Sequence, residues 1–394
     1  MIARLAPILG ITFIDILGFS ILIPLMPYFV KHFGASDLTV GLLFATFAAT
    51  QFIGGPIWGN VSDRIGRKAV LIVSQVGATF GWTMLAFAPS IGWVFVARIV
   101  EGFSGGNLSV TQAYVADLVE PERRGRAFAY IGATFSAGLV FGPAFGGLLV
   151  DRYGFSAPFL AAAALQVLTL LLTIFVLPES RSKDAGEKPA SLRDVALSLR
   201  DPRIAPVLWQ KLVYSLGLYG WFSVFALVIA AQLHFGPGDT SRMFSVFGIV
   251  SVIVQVFVTG RLTDALGNRT ASNVGFVSML ACFGFVPFMH DLYGAAVMIL
   301  TFSFGMALVN ATIPALLTDA APENQRGTIL GTGSSLESLS GIVMPPIATG
   351  ILGAYGTPAT AAIPFGFTLV ALGLGLRAAL RPAAAAPAHA TQPD

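Results

Sequence analysis

Long apolar runs recur along the whole chain, broken only by short polar turns. A helix needs about 20 apolar residues to cross a bilayer, and in lipid a helix satisfies its own backbone hydrogen bonds. Each run is therefore read as a membrane-spanning helix. The runs fall at 5–30, 39–61, 69–88, 91–118, 127–150, 156–177, 204–233, 241–262, 270–290, 293–318, 328–353 and 359–380, numbered here as spans 1 to 12. Composition agrees. Of 394 residues, 55% are hydrophobic and 11% charged, with mean hydropathy +0.78. Soluble domains carry about 25% charged residues, so a soluble enzyme and a nucleic-acid binder are both poor fits. The first run is too long for a signal peptide, carries Asp15 in its core and lacks a small-residue cleavage site at the right distance. It is read as a retained helix.

Most connections are short. The exception is 178–203, which is polar and charged. The expected organisation is an N-terminal six-helix half at 1–180, a cytoplasmic linker at 181–203, a C-terminal six-helix half at 204–381 and a disordered tail at 382–394. Within the linker, 190–200 suits a short amphipathic helix on the membrane surface. With the N-terminus in the cytoplasm, eighteen Lys and Arg fall on that side and three (Lys31, Arg152, Arg242) on the other. This positive-inside bias places both termini in the cytoplasm and explains the pI of about 9.1 without an acidic partner. No nucleic acid is expected. A lone cysteine, Cys282, excludes an intrachain disulfide and a cysteine metal cluster. The four histidines sit at span ends or in the tail, so no metal and no cofactor are expected.

The chain also repeats. The turn after span 2, Gly59 to Lys68, reads GNVSDRIGRK; the turn after span 8, Gly260 to Arg269, reads GRLTDALGNR. Asp117, Pro121, Glu122 and Gly125 close span 4 as Asp319, Pro322, Glu323 and Gly327 close span 10. Two pairs at nearly one offset indicate two six-helix halves in the same orientation.

Four motifs carry chemistry. Gly59, Asp63, Arg64, Gly66, Arg67 and Lys68 mark the turn between spans 2 and 3. Gly59 lets another helix approach, and Asp63 suits a helix N-terminus. In span 1, Asp15 lies about ten residues into its helix, roughly 15 Å deep, and a carboxylate at that depth is costly and usually functional. Arg98 and Glu101 in span 4 are three apart and share a face. In span 5, Gly138, Gly142, Pro143, Gly146 and Gly147 suit backbone-to-backbone packing, with a bend at Pro143.

With these motifs the sequence resembles the major facilitator superfamily, and within it the drug:proton antiporters, including bacterial tetracycline exporters. The resemblance implies an all-α integral membrane fold of twelve helices in two parallel halves. It implies a latch in which Asp63 and nearby arginines hold the cytoplasmic side shut, with Asp117 as a partner. It links Asp15 to the proton cycle, and the span 5 glycines to export rather than uptake. The family usually shows glutamine where this chain has Glu101. Two readings then stand: a permanently paired couple with Arg98, or a proton site between burial and a guanidinium. Tetracycline exporters carry further aspartates in spans 3 and 9; the matching stretches 78–87 and 277–288 have none.

Apart from Asp117 at the end of span 4, only Asp15, Glu101 and Glu337 are acidic within spans. Glu337, in span 11, is either a cavity site or a structural partner. Lys211, early in span 7, is expected to snorkel to the surface. Gln51, Asn107, Gln112, Tyr214, Trp221, Gln255 and Asn310 are candidates for a substrate cavity; Gln75 and Gln166 are discounted as peripheral. The expected function is a monomeric, proton-coupled exporter of small lipophilic or drug-like molecules, with protons and the bilayer as its other partners. A bacterial inner membrane is the expected location. The alternatives are a proton-coupled uptake symporter for a sugar or metabolite, and a lipid flippase on the same fold.

Overall fold

In the computed structural model, residues 2–105, 107–119, 124–180, 197–322 and 325–380 are described, and no strand occurs among them. The tail, most of the linker and most of the 190–200 segment lie outside the described residues. Span 1 is Ile2–His32, span 2 Asp37–Ile65, span 3 Arg67–Ala86, span 5 Arg124–Tyr153 and span 6 Ser156–Phe175. Span 7 is Ala205–Leu233 and span 10 Leu292–Ala320. Two further apolar segments run for 52 and 51 residues, each too long for a single crossing. The first comprises the helix Pro237–Val254, a π-helical turn at Gln255–Thr259 and the helix Gly260–Phe285, which folds back at Gly267 (φ 77°). The second, Thr328–Ala378 within the helix Arg326–Leu380, folds back at Gly356 (φ 76°). These are spans 8 and 9, and spans 11 and 12.

Span 4 differs from the expected continuous helix. It consists of Ile91–Ser104 and Asn107–Leu118. The first helix stops at Gly105, a weak helix former. Carbonyls near the break are taken up by neighbouring spans. Trp58 Nε1 donates to the Phe103 oxygen at 2.7 Å, Ser74 Oγ to that of Ser104 at 2.5 Å, and Gln51 Nε2 to that of Gly105 at 3.2 Å. Side chains thus cap a helix end inside the bundle.

The repeat is written into the backbone. Among the described residues, six have clearly positive φ: Gly34, Gly66 and Gly154 in the first half, His234, Gly267 and Gly356 in the second. Taken in order, the pairs are separated by 200, 201 and 202 positions. Five of the six are glycine, which enters this region without Cβ strain.

Each half packs its own interior. Trp221, Phe225, Phe244, Phe247, Phe283 and Phe302 belong to one cluster confined mainly to residues 204–371. The first half holds two clusters, one around Phe29, Trp82 and Phe159, the other around Leu5, Tyr114 and Leu177. Outside, large apolar side chains such as Phe80 and Phe175 are exposed, as lipid contact requires. Tyr153, Tyr293 and Tyr355 stand exposed at the end carrying Lys31, Arg152 and Arg242, called here the far end. Interfacial tyrosines of this kind mark the bilayer boundary. The other end, carrying Arg64, Arg67, Lys68, Arg269 and Arg377, is the basic end.

The halves meet where span 5 packs on span 8 and span 2 on span 11. At the far end the Tyr28 hydroxyl lies 2.8 Å from the Phe235 carbonyl oxygen and 2.5 Å from Thr240 Oγ1. Arg242 Nη2 donates to Asp151 Oδ2 at 2.6 Å. A Cβ on Gly41 would lie 2.7 Å from the Pro345 carbonyl carbon, and one on Gly147 would lie 2.7 Å from Ser241 Cβ. Towards the basic end the picture changes. A Cβ on Gly59 of span 2 would meet nothing within 4 Å. The close approach that Gly59 suggested is absent in this conformation.

Candidate transport site

Three clusters hold the motif residues. The first joins spans 1 and 5. A Cβ on Gly138 would lie 2.7 Å from Ile16 Cγ2, one on Gly142 2.6 Å from the Leu17 oxygen, and one on Gly146 2.9 Å from Ile21 Cγ2. The glycines therefore form one seam along which span 1 lies against span 5, with Ser20 Oγ donating to the Gly138 oxygen at 2.8 Å. The helix runs unbroken through Pro143. Gly147, next in the motif, turns to span 8 instead. Asp15, half-buried, precedes the seam by one residue on span 1.

The second is a sealed ion pair. Arg98 and Glu101 are in direct contact, with side chains 2% and 5% exposed. The guanidinium carbon lies 5.2 Å from the Phe47 ring and 5.6 Å from that of Trp82. Phe47 stacks in turn on Phe19 of span 1, with ring centroids 5.4 Å apart. The charge is thus enclosed by its partner and two aromatic faces.

The third lies at the basic end. Arg67 Nη1 is 2.6 Å from Asp63 Oδ1 and Nε is 3.3 Å from Asp117 Oδ2, while Nη1 also donates to Ser62 Oγ at 2.5 Å. Arg64 is exposed. Asp63 pairs with Arg67 across the turn; the helix N-terminus there is served by Glu179, whose Oε1 accepts the Arg67 backbone N–H at 2.9 Å. Sequence reasoning missed Glu179, because it follows the apolar run of span 6 and reads as the start of the linker. The second half repeats part of this arrangement. Lys68 Nζ donates to the Ile174 carbonyl and Arg269 to that of Ala378, one from each half. Position 268 is asparagine where the first half has Arg67.

The cavity candidates divide. Tyr214 donates its hydroxyl to Asn310 Oδ1 at 2.9 Å. Asn310, Gln112 and Gln255 are exposed, and Gln255 opens the π-helical turn. Gln51 is engaged in capping the break in span 4. The side chain of Asn107 lies outside the described residues. Trp221 needs correction. It is 0% exposed and edge-on to Phe225, Phe283 and Phe302, in the interior of the second half rather than facing a cavity.

Lys211 also needs correction. Rather than snorkelling, it is 8% exposed and donates from Nζ to Glu337 Oε1 at 2.7 Å. A carboxylate on the facing span stands in for the membrane surface that a lysine would otherwise seek. Gln75 and Gln166 are buried on spans 3 and 6, which pack against each other.

Comparison with known proteins places these clusters in a family context. The Major Facilitator Superfamily matches residues 8–345 and 212–394. The chain is 32% identical over 355 residues to the tetracycline resistance protein, class C, of Escherichia coli, covering 88% of this chain and 89% of that one. It is 28% identical to multidrug resistance protein 2 of Bacillus subtilis (strain 168), covering 86% of each. Among solved structures, the human organic anion transporter MFSD10 (TETRAN) superposes with TM-score 0.71 at 23% identity, over 95% of this chain and 99% of that one. A bacterial homologue of the lysosomal transporter Spinster, in an inward-facing and unoccupied conformation, gives 0.73 at 15% identity, over 96% and 95%.

Proposed function

The chain belongs to the Major Facilitator Superfamily, and as a multi-pass membrane transporter of that family we propose that it is a proton-driven exporter of small lipophilic molecules. The observation that carries the reading is the seam between spans 1 and 5. Gly138, Gly142 and Gly146 hold span 1 backbone-close, beside the half-buried carboxylate of Asp15. A carboxylate fixed in that position is suited to exchange a proton for cargo. Relatives described as tetracycline and multidrug resistance proteins support export over uptake.

In this reading the basic end faces the cytoplasm of a bacterial cell, in keeping with the excess of Lys and Arg there. The contacts at the far end and the open surroundings of Gly59 then correspond to an inward-facing carrier. Asp15 takes a proton from outside and releases it inside, with Glu337 as a second acidic site. Arg98 and Glu101 act as a fixed couple that shapes spans 2, 3 and 4. Arg67 holds Asp63 and Asp117 in the state where the cytoplasmic side is open, and re-pairing of Asp63 closes that side.

The test is gradient-driven transport in inverted membrane vesicles, read as collapse of an acid-inside pH gradient on adding a compound. Compounds come from a toxicity panel on a pump-deficient host expressing the chain. Collapse that requires Asp15 supports the reading. A carrier that moves compounds by counterflow with no effect on the gradient overturns it.

A further inference from the structure

Outside the motifs, one ion pair is built unequally. Lys211 Nζ lies 2.7 Å from Glu337 Oε1, with side chains 11% and 40% exposed. The lysine is held. A Cβ on Gly333 would lie 2.9 Å from its Cε and 3.5 Å from Leu317 Cδ1, so span 11 packs directly on the stem. The glutamate is not held to the same degree. It stands one turn from Gly341, whose Cβ position is 3.7 Å from Ala48 Cβ of span 2. Glu337 therefore lies on the face of span 11 that meets the first half.

The energetics of the two ends differ accordingly. A buried ammonium without a counter-ion is costly, while a partly exposed carboxylate is readily hydrated. Lys211 always needs an anion; Glu337 does not always need Lys211. Lys211 is six residues into span 7, about 9 Å from its start, towards the basic end. Next to the pair, the Asn310 amide accepts from Tyr214 through Oδ1 and keeps Nδ2 as a donor. Tyr219, partly exposed, adds an aromatic surface beside Gly341.

We infer that Lys211 is the docking point for the acidic group of an amphiphilic organic anion, with Glu337 its resident counter-ion in the empty carrier. Cargo carboxylate replaces Glu337 on the lysine, and its apolar body lies against the exposed ring of Tyr219. The inference rests on the exporter reading and adds its substrate class: molecules with a carboxylate on an aromatic or lipophilic frame. A lysine whose glutamate serves only to neutralise it is the competing explanation.

Counterflow in proteoliposomes of the full chain separates the two, using 1-pyrenebutyrate and its neutral methyl ester as matched probes. Counterflow needs no proton gradient, so its outcome is independent of whether export is proton-driven. The expected result is a lower KM for the acid than for the ester. Lys211→Gln should reduce that preference at least tenfold, and Glu337→Gln should increase it by vacating the lysine. Because the readout is a ratio, partial loss of folded protein does not mimic it. If Lys211→Gln fails to fold, the double variant Lys211→Gln with Glu337→Gln leaves no unpaired charge and should show no preference. A wild type that takes the ester as well as the acid, or takes neither, overturns the inference. So does a preference that either single variant leaves unmoved.

Discussion

Arg98 and Glu101, one helical turn apart on span 4, form an ion pair closed to solvent, with Phe47 and Trp82 over the guanidinium. Neither charge has an aqueous alternative. The pair's value therefore lies in mutual neutralisation, and removing one member is expected to cost far more than forming the pair gains.

Glu101→Gln tests this. The amide still accepts a hydrogen bond from the guanidinium, but the buried cation loses its counter-charge. The expected loss of stability is about 3–5 kcal/mol, read from thermal unfolding in detergent. The pH profile of transport should keep its shape. A shifted profile with unchanged melting would return Glu101 to the proton pathway.

Asp15→Asn removes the carboxylate beside the glycine seam and keeps its shape. Gradient-driven transport should fall to background, while counterflow and melting temperature stay near wild type. Gradient-driven transport at the wild-type rate in reconstituted vesicles would remove Asp15 from the coupling step.

Gly142→Ala addresses the seam itself. The added carbon would lie 2.6 Å from the Leu17 oxygen and 3.0 Å from Ser20 Cβ, so span 1 must move. Overpacking of this kind costs about 1–3 kcal/mol. Gly132→Ala, in the same helix with nothing within 4 Å, is the control and should be silent. Equal melting temperatures for the two variants would show that the seam yields freely.

The two ends of the molecule should respond in opposite senses. Asp151→Asn weakens the bridge to Arg242 at the far end and should shift the population away from the state open at the basic end. Asp63→Asn should shift it towards that state, because the carboxylate needed to close the basic end is gone. Asp151 and Asp63 are both partly exposed and Arg67 keeps Asp117, so stability should change by no more than about 1 kcal/mol. Distances between spin labels across each mouth give the populations; shifts of the same sign in both variants would contradict the assignment.

The spans and the two halves were legible in the sequence because lipid leaves a helix no other way to pair its backbone. The twofold repeat was legible at Asp63 and Asp264, where the turn after a span recurs. Contacts between spans were less legible. Lys211 looked like a surface-seeking lysine because its depth can be counted but Glu337, 126 positions later, cannot be placed beside it by counting. Trp221 looked like a cavity residue because an aromatic in an apolar helix does not reveal which face it occupies. The break in span 4 begins at Gly105, yet hydropathy averages across it. Its caps come from Gln51, Trp58 and Ser74 on two other spans, and only packing brings them together.

The paired turns at Gly34 and His234, Gly66 and Gly267, and Gly154 and Gly356 also bear on ancestry. Six crossings is an even number, so each half begins and ends on the same side of the bilayer. A gene encoding one half could thus be copied head to tail without inserting a further crossing or reversing either copy. A tether along one surface suffices to join the copies. At His234, the partner of Gly34, the left-handed position carries a side chain, at a strain on the order of 1–2 kcal/mol, and the bend is kept.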